Sequence, residues 1–118
     1  RITDEKTLLV ASSDFVHYGE VFDYVPNIVR TPSEIRAGIR KIDEGAIDYI
    51  RHMDSKGLLD YRQRSGATIC GILPIAVLLD TMPKSAKVEL LDYSQSADVT
   101  NETDQMVSYA ALAFFESP

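Results

Sequence analysis

Asp14 and His17 stand three residues apart in Leu8-Leu9-Val10-Ala11-Ser12-Ser13-Asp14-Phe15-Val16-His17-Tyr18-Gly19, where an apolar run passes abruptly into small and ionisable residues. On a segment leaving a strand, a carboxylate and an imidazole at that spacing can share a hydrogen bond or a common metal. The carboxylate then favours imidazolium, or fixes the tautomer that presents the other ring nitrogen to the ion. The same spacing fits a plainer arrangement, with Asp14 capping the loop backbone and His17 a half-buried hydrogen-bonding residue. Two ligands alone do not make a metal site. Cys70, the only cysteine, is the third reactive group. At a helix N-terminus unpaired amides favour the thiolate, the form that binds soft metals and reacts with oxidants. A buried, inert thiol is the other reading.

Other chemistries have less to work with. Ser12, Ser13 and His17 contain the atoms of a hydrolase, but there is no G-x-S-x-G elbow and His17 lies too near the serines for the usual order. No glycine-rich phosphate loop is present. His52, between Arg51 and Asp54, belongs to a charged, solvated helix face. Tyr93, Ser94 and Gln95 follow a strand end, where they either line the pocket or form a polar turn.

The elements that must position these groups read as α/β. The apolar run that opens at Leu8, closed by small polar residues and Gly19, has the form of a buried strand in a sheet with helices on both faces. That puts Asp14 and His17 at the strand's carboxyl end, where open α/β sheets bind ligands. Tyr18 to Arg30, with Gly19, Pro26, Asn27, Phe22 and Tyr24, suits an ordered surface loop flanking the site. Thr31-Pro32-Ser33-Glu34 is a capping box. The helix after it carries Ile35, Ile39, Ile42, Ala46, Ile50 and Met53 on one stripe, and turns Arg36, Lys41, Glu44, Asp48 and Arg51 to water. Gly38 and Gly45 each cost about 1 kcal/mol of helix propensity relative to alanine, so close packing against the sheet is expected at one or both.

Asp54 and Ser55 cap a second helix with Leu58, Leu59 and Tyr61, which stops at Ser65-Gly66. Cys70 to Thr81 is apolar almost all round, as in a helix buried between layers. Pro74 is tolerated only in a first turn, which puts the helix start close to Cys70, and Pro83 ends it. Lys87 to Tyr93 and Met106 to Phe115 read as strands with Val88, Leu90, Val107, Tyr109, Leu112 and Phe114 inward. The polar stretch Gln95 to Gln105 joins them as a loop or crossover.

The 118 residues allow one domain, and 45% hydrophobic with 25% charged residues is an ordinary globular balance. The longest apolar segment, Ile72 to Leu79, falls far short of the ~20 residues that cross a bilayer. A net charge of −6, with basic residues alternating with acids, argues against nucleic acid and membrane surfaces as partners. A single cysteine fits a reducing compartment, so a cytoplasmic protein is expected. No charged-then-apolar leader precedes Leu8.

Ser12-Ser13-Asp14-Phe15-Val16-His17-Tyr18-Gly19 resembles the signature segment of the Memo-like family. Thr68-Ile69-Cys70-Gly71-Ile72-Leu73-Pro74-Ile75 resembles its cysteine segment. Leu91-Asp92-Tyr93-Ser94-Gln95-Ser96 and Val107-Ser108-Tyr109-Ala110-Ala111 are similar to its closing strands. The four blocks occur in the family's order and span nearly the whole chain. The resemblance implies that residues 1–118 are the C-terminal part of a single domain roughly twice as long, whose N-terminal half carries two further site histidines. It implies a sheet flanked by helices, similar in fold to the class III extradiol dioxygenases, which use non-haem Fe(II) to activate oxygen.

It further implies a pocket binding iron or copper, with Cys70 and His17 as metal ligands, and Asp14 and His17 as pocket residues of an oxidoreductase. Thiolate and imidazole suit such metals better than Mg²⁺ or Ca²⁺. A cysteine in place of one member of a two-histidine, one-carboxylate triad sets the family apart from ring-cleaving enzymes. The other function implied is that of a non-enzymatic adaptor binding phosphotyrosine peptides in cell motility. Arg30, Arg36 and Arg40, on or before a helix face, form no phosphate-pairing cluster. The expected partner is the absent half or a complementary chain. Without it, Leu8, Val10, Val88 and Leu90 are expected to be partly exposed and the isolated chain to bind metal weakly.

Overall fold

A computed structural model describes residues 4–26 and 31–116. Among the described residues the fold is α/β: a three-stranded antiparallel sheet and four helices. The strands are His17–Tyr18 (β1), Lys87–Gln95 (β2) and Met106–Phe115 (β3), in the spatial order β1-β3-β2. The helices are Pro32–Arg51 (α1), Ser55–Ser65 (α2), Ile72–Thr81 (α3) and Ala97–Thr100 (α4). Asn27 and Arg30, expected in the loop, lie outside the described residues. The preceding part of that loop holds a 3-10 turn over Glu20–Phe22.

Helix α1 starts where the capping box placed it. The Glu34 carboxylate accepts from the Thr31 N–H at 3.3 Å and from the Thr31 hydroxyl at 2.6 Å, with Pro32 opening the helix. Its inner stripe buries Ile35, Ile39, Ala46, Ile47 and Ile50, while Ile42 is half-buried. Two departures matter. Asp43 lies fully buried in that stripe, and Arg36, half-buried, is engaged by side chains of another element. The Arg36 guanidinium pairs with Asp98 and donates to Gln95 Oε1 at 3.2 Å, tying α1 to the end of β2. Gly45 meets α2 rather than the sheet, because a Cβ there would strike the Tyr61 hydroxyl, which itself donates to the Ile42 carbonyl at 2.7 Å.

Helix α2 is capped by Asp54, whose carboxylate accepts from the Gly57 N–H at 2.8 Å, and ends at Gly66. Helix α3 begins at Ile72, two residues after Cys70, with Pro74 in its first turn. It is not buried all round. Ile72, Ile75, Ala76 and Leu79 are inside while Leu73 and Val77 are exposed.

The first apolar run is the main correction. Leu8 and Val10 are 85% and 77% exposed and form no strand; the chain enters the sheet later, where Phe15 N–H donates to the Ser108 carbonyl at 2.9 Å. A strand exists through its hydrogen-bonded neighbour. Among the described residues β3 supplies one only from Phe15 onward, so Asp14 and His17 stand at the start of the paired segment rather than after it. The partial exposure expected for Leu8, Val10, Val88 and Leu90 is present.

The long strands fall where the sequence put them, but the inward set differs. Met106 and Ser108 point inward, and Val107 and Tyr109 do not. A bulge at Leu91 shifts the β2 register between Leu90 and Asp92. Val88 and Leu90 therefore pack on the core before it, and Tyr93 and Gln95 after it. One extra residue moves alternate side chains to the other face. The other face carries exposed Leu91, Tyr109 and Phe115, so among the described residues it has no covering helix there. The connection after Gln95 holds α4 and joins antiparallel neighbours without a crossover.

Candidate functional site

Residues 13–17 and 68–71 lie side by side, and hydrogen bonds join them at both ends. At one end the Ser13 hydroxyl accepts from the Gly71 N–H at 2.8 Å and donates to the Asp14 carbonyl at 2.7 Å. At the other, Thr68 Oγ1 accepts from the His17 N–H at 2.9 Å and donates to the His17 carbonyl at 2.6 Å. Close approach requires Gly71: a Cβ there would stand 2.7 Å from Ser13 Oγ and 2.8 Å from the Ser12 carbonyl oxygen.

Asp14 links the predicted residues. Its N–H donates to Cys70 Sγ at 3.3 Å, and its Oδ2 lies 3.8 Å from His17 Nε2. Ser13 Oγ lies 3.7 Å from the same sulfur. Cys70 is exposed, which removes the buried-thiol reading.

The imidazole orientation follows from its neighbours. His17 Nδ1 is 3.0 Å from the Phe15 carbonyl oxygen and 3.1 Å from that of Thr68. Carbonyl oxygens only accept, so Nδ1 carries the proton. In the neutral ring Nε2 then keeps its lone pair, directed toward Asp14. The Phe22 ring packs edge-on against the imidazole, 5.1 Å between centroids. This tautomer is the one able to take a proton or a metal ion at Nε2.

Among the described residues no three His, Cys, Asp or Glu side chains cluster closely enough to hold a metal ion. A groove of about 720 Å³ lies next to the cluster rather than on it. Tyr18, Gly19, Val25, Ile35, Glu102 and Asp104 are among its lining, and it includes none of Asp14, His17 and Cys70.

Tyr93 and Gln95 belong to neither. The Tyr93 hydroxyl donates to Asp43 Oδ2, and Gln95 Nε2 donates to Tyr93 Oη at 3.1 Å and to the Arg36 carbonyl at 2.9 Å. Burial pushes the Asp43 carboxyl above its ordinary range, against the hydrogen bonds from Ser108, Tyr93 and Val16 that favour the charged form. The Tyr93 hydroxyl is pushed up as well, by burial first and by the Asp43 charge. Sequence reading missed Asp43, although the signal was there: it is four residues after Ile39 and three before Ala46, an acid inside an apolar stripe. His52 is exposed at the end of α1, with Nδ1 2.7 Å from the Asp48 carbonyl oxygen, as its charged neighbours implied. Among the described residues no helix is long and apolar enough to cross a membrane.

The family model described as Memo-like protein matches residues 1–113. A MEMO1 family protein of Thermococcus onnurineus is 31% identical over 113 residues, which is 94% of this chain and 38% of the relative. Protein MEMO1 of Homo sapiens is 34% identical over 118 residues, 95% of this chain and 39% of the relative. A MEMO1 family protein of Methanosarcina mazei is 32% identical over 110 residues, 92% of this chain and 36% of the relative. The chain thus spans under two fifths of the length of these relatives, less than the half expected.

Proposed function

This chain belongs to the Memo-like family, and from that premise we propose that Asp14, His17 and Cys70 form one wall of a pocket that binds iron or copper in an oxidoreductase. The observation that carries this reading is the fixed tautomer of His17. Two carbonyls hold the Nδ1 proton, leaving the Nε2 lone pair free for a metal ion. The donor set fits the metal class, since an imidazole nitrogen and an exposed thiol are what borderline and soft transition metals select. His17 Nε2 and Cys70 Sγ would hold the ion. Bound there, iron or copper would supply one-electron redox chemistry.

The chain's own residues do the positioning. Thr68 clamps the His17 backbone on both sides, Ser13 ties that segment to Gly71, and the Asp14 N–H steadies the sulfur. The Asp14 carboxylate lies 3.8 Å from Nε2 and adds negative charge beside it, which favours a cation at that nitrogen. Catalytic metal sites generally use three protein ligands. The remaining donors are therefore assigned to polypeptide beyond these residues, the longer chain of which this is taken as the C-terminal part. That same polypeptide is the proposed cover for Leu8 and Val10.

Iron and copper content of the full-length protein tests the reading. Wild type should retain metal through gel filtration, and Cys70→Ser and His17→Ala should each lose most of it. Equal content in all three would overturn the assignment. The phosphopeptide adaptor has less support, because Arg36 is held by Asp98 and Gln95, and Arg40 pairs with Glu44 at 3.0 Å while lying over the Tyr93 ring. A phosphotyrosine peptide titrated against its unphosphorylated twin separates the two functions. A clear preference for the phosphorylated form would favour the adaptor.

A further inference from the structure

Asp43 is fully buried on α1 and has no part in the pocket chemistry above. Replacing a buried ionic group by an apolar one is often neutral or stabilising, so an acid kept within an apolar stripe is not explained by stability alone. Its contacts point to the site. Asp43 Oδ1 accepts from the Val16 N–H at 3.2 Å. That N–H belongs to the same peptide unit as the Phe15 carbonyl, the group that accepts from His17 Nδ1 at 3.0 Å. The peptide unit is planar, so its N–H and C=O ends turn together.

We propose that Asp43 is a positioning residue for His17, acting through the Phe15–Val16 peptide. The carboxylate holds the plane by its N–H, and the plane's carbonyl holds the imidazole by its Nδ1 proton. Hydrogen bonds in series polarise one another, so an anion on the N–H end makes the carbonyl a stronger acceptor and Nε2 a better donor. The carboxylate is itself fixed. Tyr93 donates to its other oxygen, and Gln95 donates to Tyr93. Ser108 closes the arrangement by donating its N–H to the Val16 carbonyl at 3.0 Å. Orientation of a histidine through its second nitrogen is a familiar device. Here the carboxylate reaches it across a peptide instead of directly.

The proposal rests on His17 being the working side chain of the cluster, but its test needs no metal. The full-length, metal-free protein is labelled with ¹⁵N at histidine and compared with Asp43→Leu and Asp43→Asn, at a pH where the ring is neutral. Wild type should show one tautomer, protonated at Nδ1. With the Phe15 carbonyl loosened and only that of Thr68 still holding the Nδ1 proton, Asp43→Leu should admit some of the other tautomer at His17. Its Val16 amide should exchange at least about tenfold faster than in wild type, as loss of a hydrogen bond to a charged group requires, with α2 amides unchanged. A folded Asp43→Leu protein with the wild-type tautomer would overturn the proposal, as would exchange that quickens equally in α2. Where Asp43→Leu does not fold, Asp43→Asn decides. It keeps an acceptor but not the charge, and should shift His17 Nδ1 and quicken Val16 exchange while keeping the tautomer. Values identical to wild type would overturn the proposal. Metal content that fails to depend on His17 would refute the pocket reading while leaving this result standing.

Discussion

The Gly71 N–H donates to the Ser13 hydroxyl at 2.8 Å, bridging two segments 58 residues apart in sequence. That bond sets the spacing between the Ser12-Ser13-Asp14 segment and the cysteine. An added methyl at Gly71 has no room against Ser13 and the Ser12 carbonyl. Gly71→Ala should destabilise the protein by about 1–3 kcal/mol, the usual cost of overpacking. It should also lower retained metal, because Asp14 and Cys70 are pushed apart. Denaturant unfolding and metal analysis check both, and unchanged values would mean that the segment yields to the methyl.

Thr68 accepts from and donates to the two backbone groups of His17. Thr68→Val keeps the shape and removes both bonds, leaving the half-buried His17 N–H without its acceptor. A loss of about 1–3 kcal/mol is expected in thermal unfolding. Thr68→Ser should recover most of it. If serine fails to rescue, the methyl rather than the hydroxyl is what matters.

Asp43 gives a pH dependence with a defined sign. Its folded-state carboxyl is raised above the ordinary 3.8, chiefly by burial, so between the two values the folded protein is protonated there and the unfolded chain is not. Stability from this group therefore falls as pH rises through that window and is lowest above it, where Asp43 is charged in both states. The nearby Glu44 charge acts in the same direction, while Ser108, Tyr93 and Val16 oppose it. Urea unfolding across the acidic range should show Asp43→Asn lacking this component. A wild type and variant with parallel profiles would contradict it.

Leu8, Val10, Leu91, Tyr109 and Phe115 are exposed among the described residues. Exposed apolar surface beside an open sheet edge promotes association. The isolated 118-residue chain should therefore self-associate in solution, and Leu8→Lys with Val10→Lys should reduce this. Sedimentation at several concentrations measures it. A monomer at all of them would show that this surface needs no cover.

Local rules made the helices legible. Thr31, Pro32 and Glu34 fix the start of α1, Asp54 and Gly66 bracket α2, and Pro74 with Pro83 confines α3, because caps and proline act within one turn of chain. The same locality identified Asp14, His17 and Cys70 by residue type. What the sequence alone could not decide was pairing. Leu8 to Val10 has the composition of a buried strand but lacks a described neighbour, and the Leu91 bulge changed which residues of β2 face inward beyond Leu90. Only the tertiary structure brought Asp43 against the Val16 N–H and set two carbonyls around His17 Nδ1. The reason is physical: propensity and capping depend on a few adjacent residues, whereas register, burial of a charge and the tautomer of a ring depend on which distant backbone groups arrive beside them.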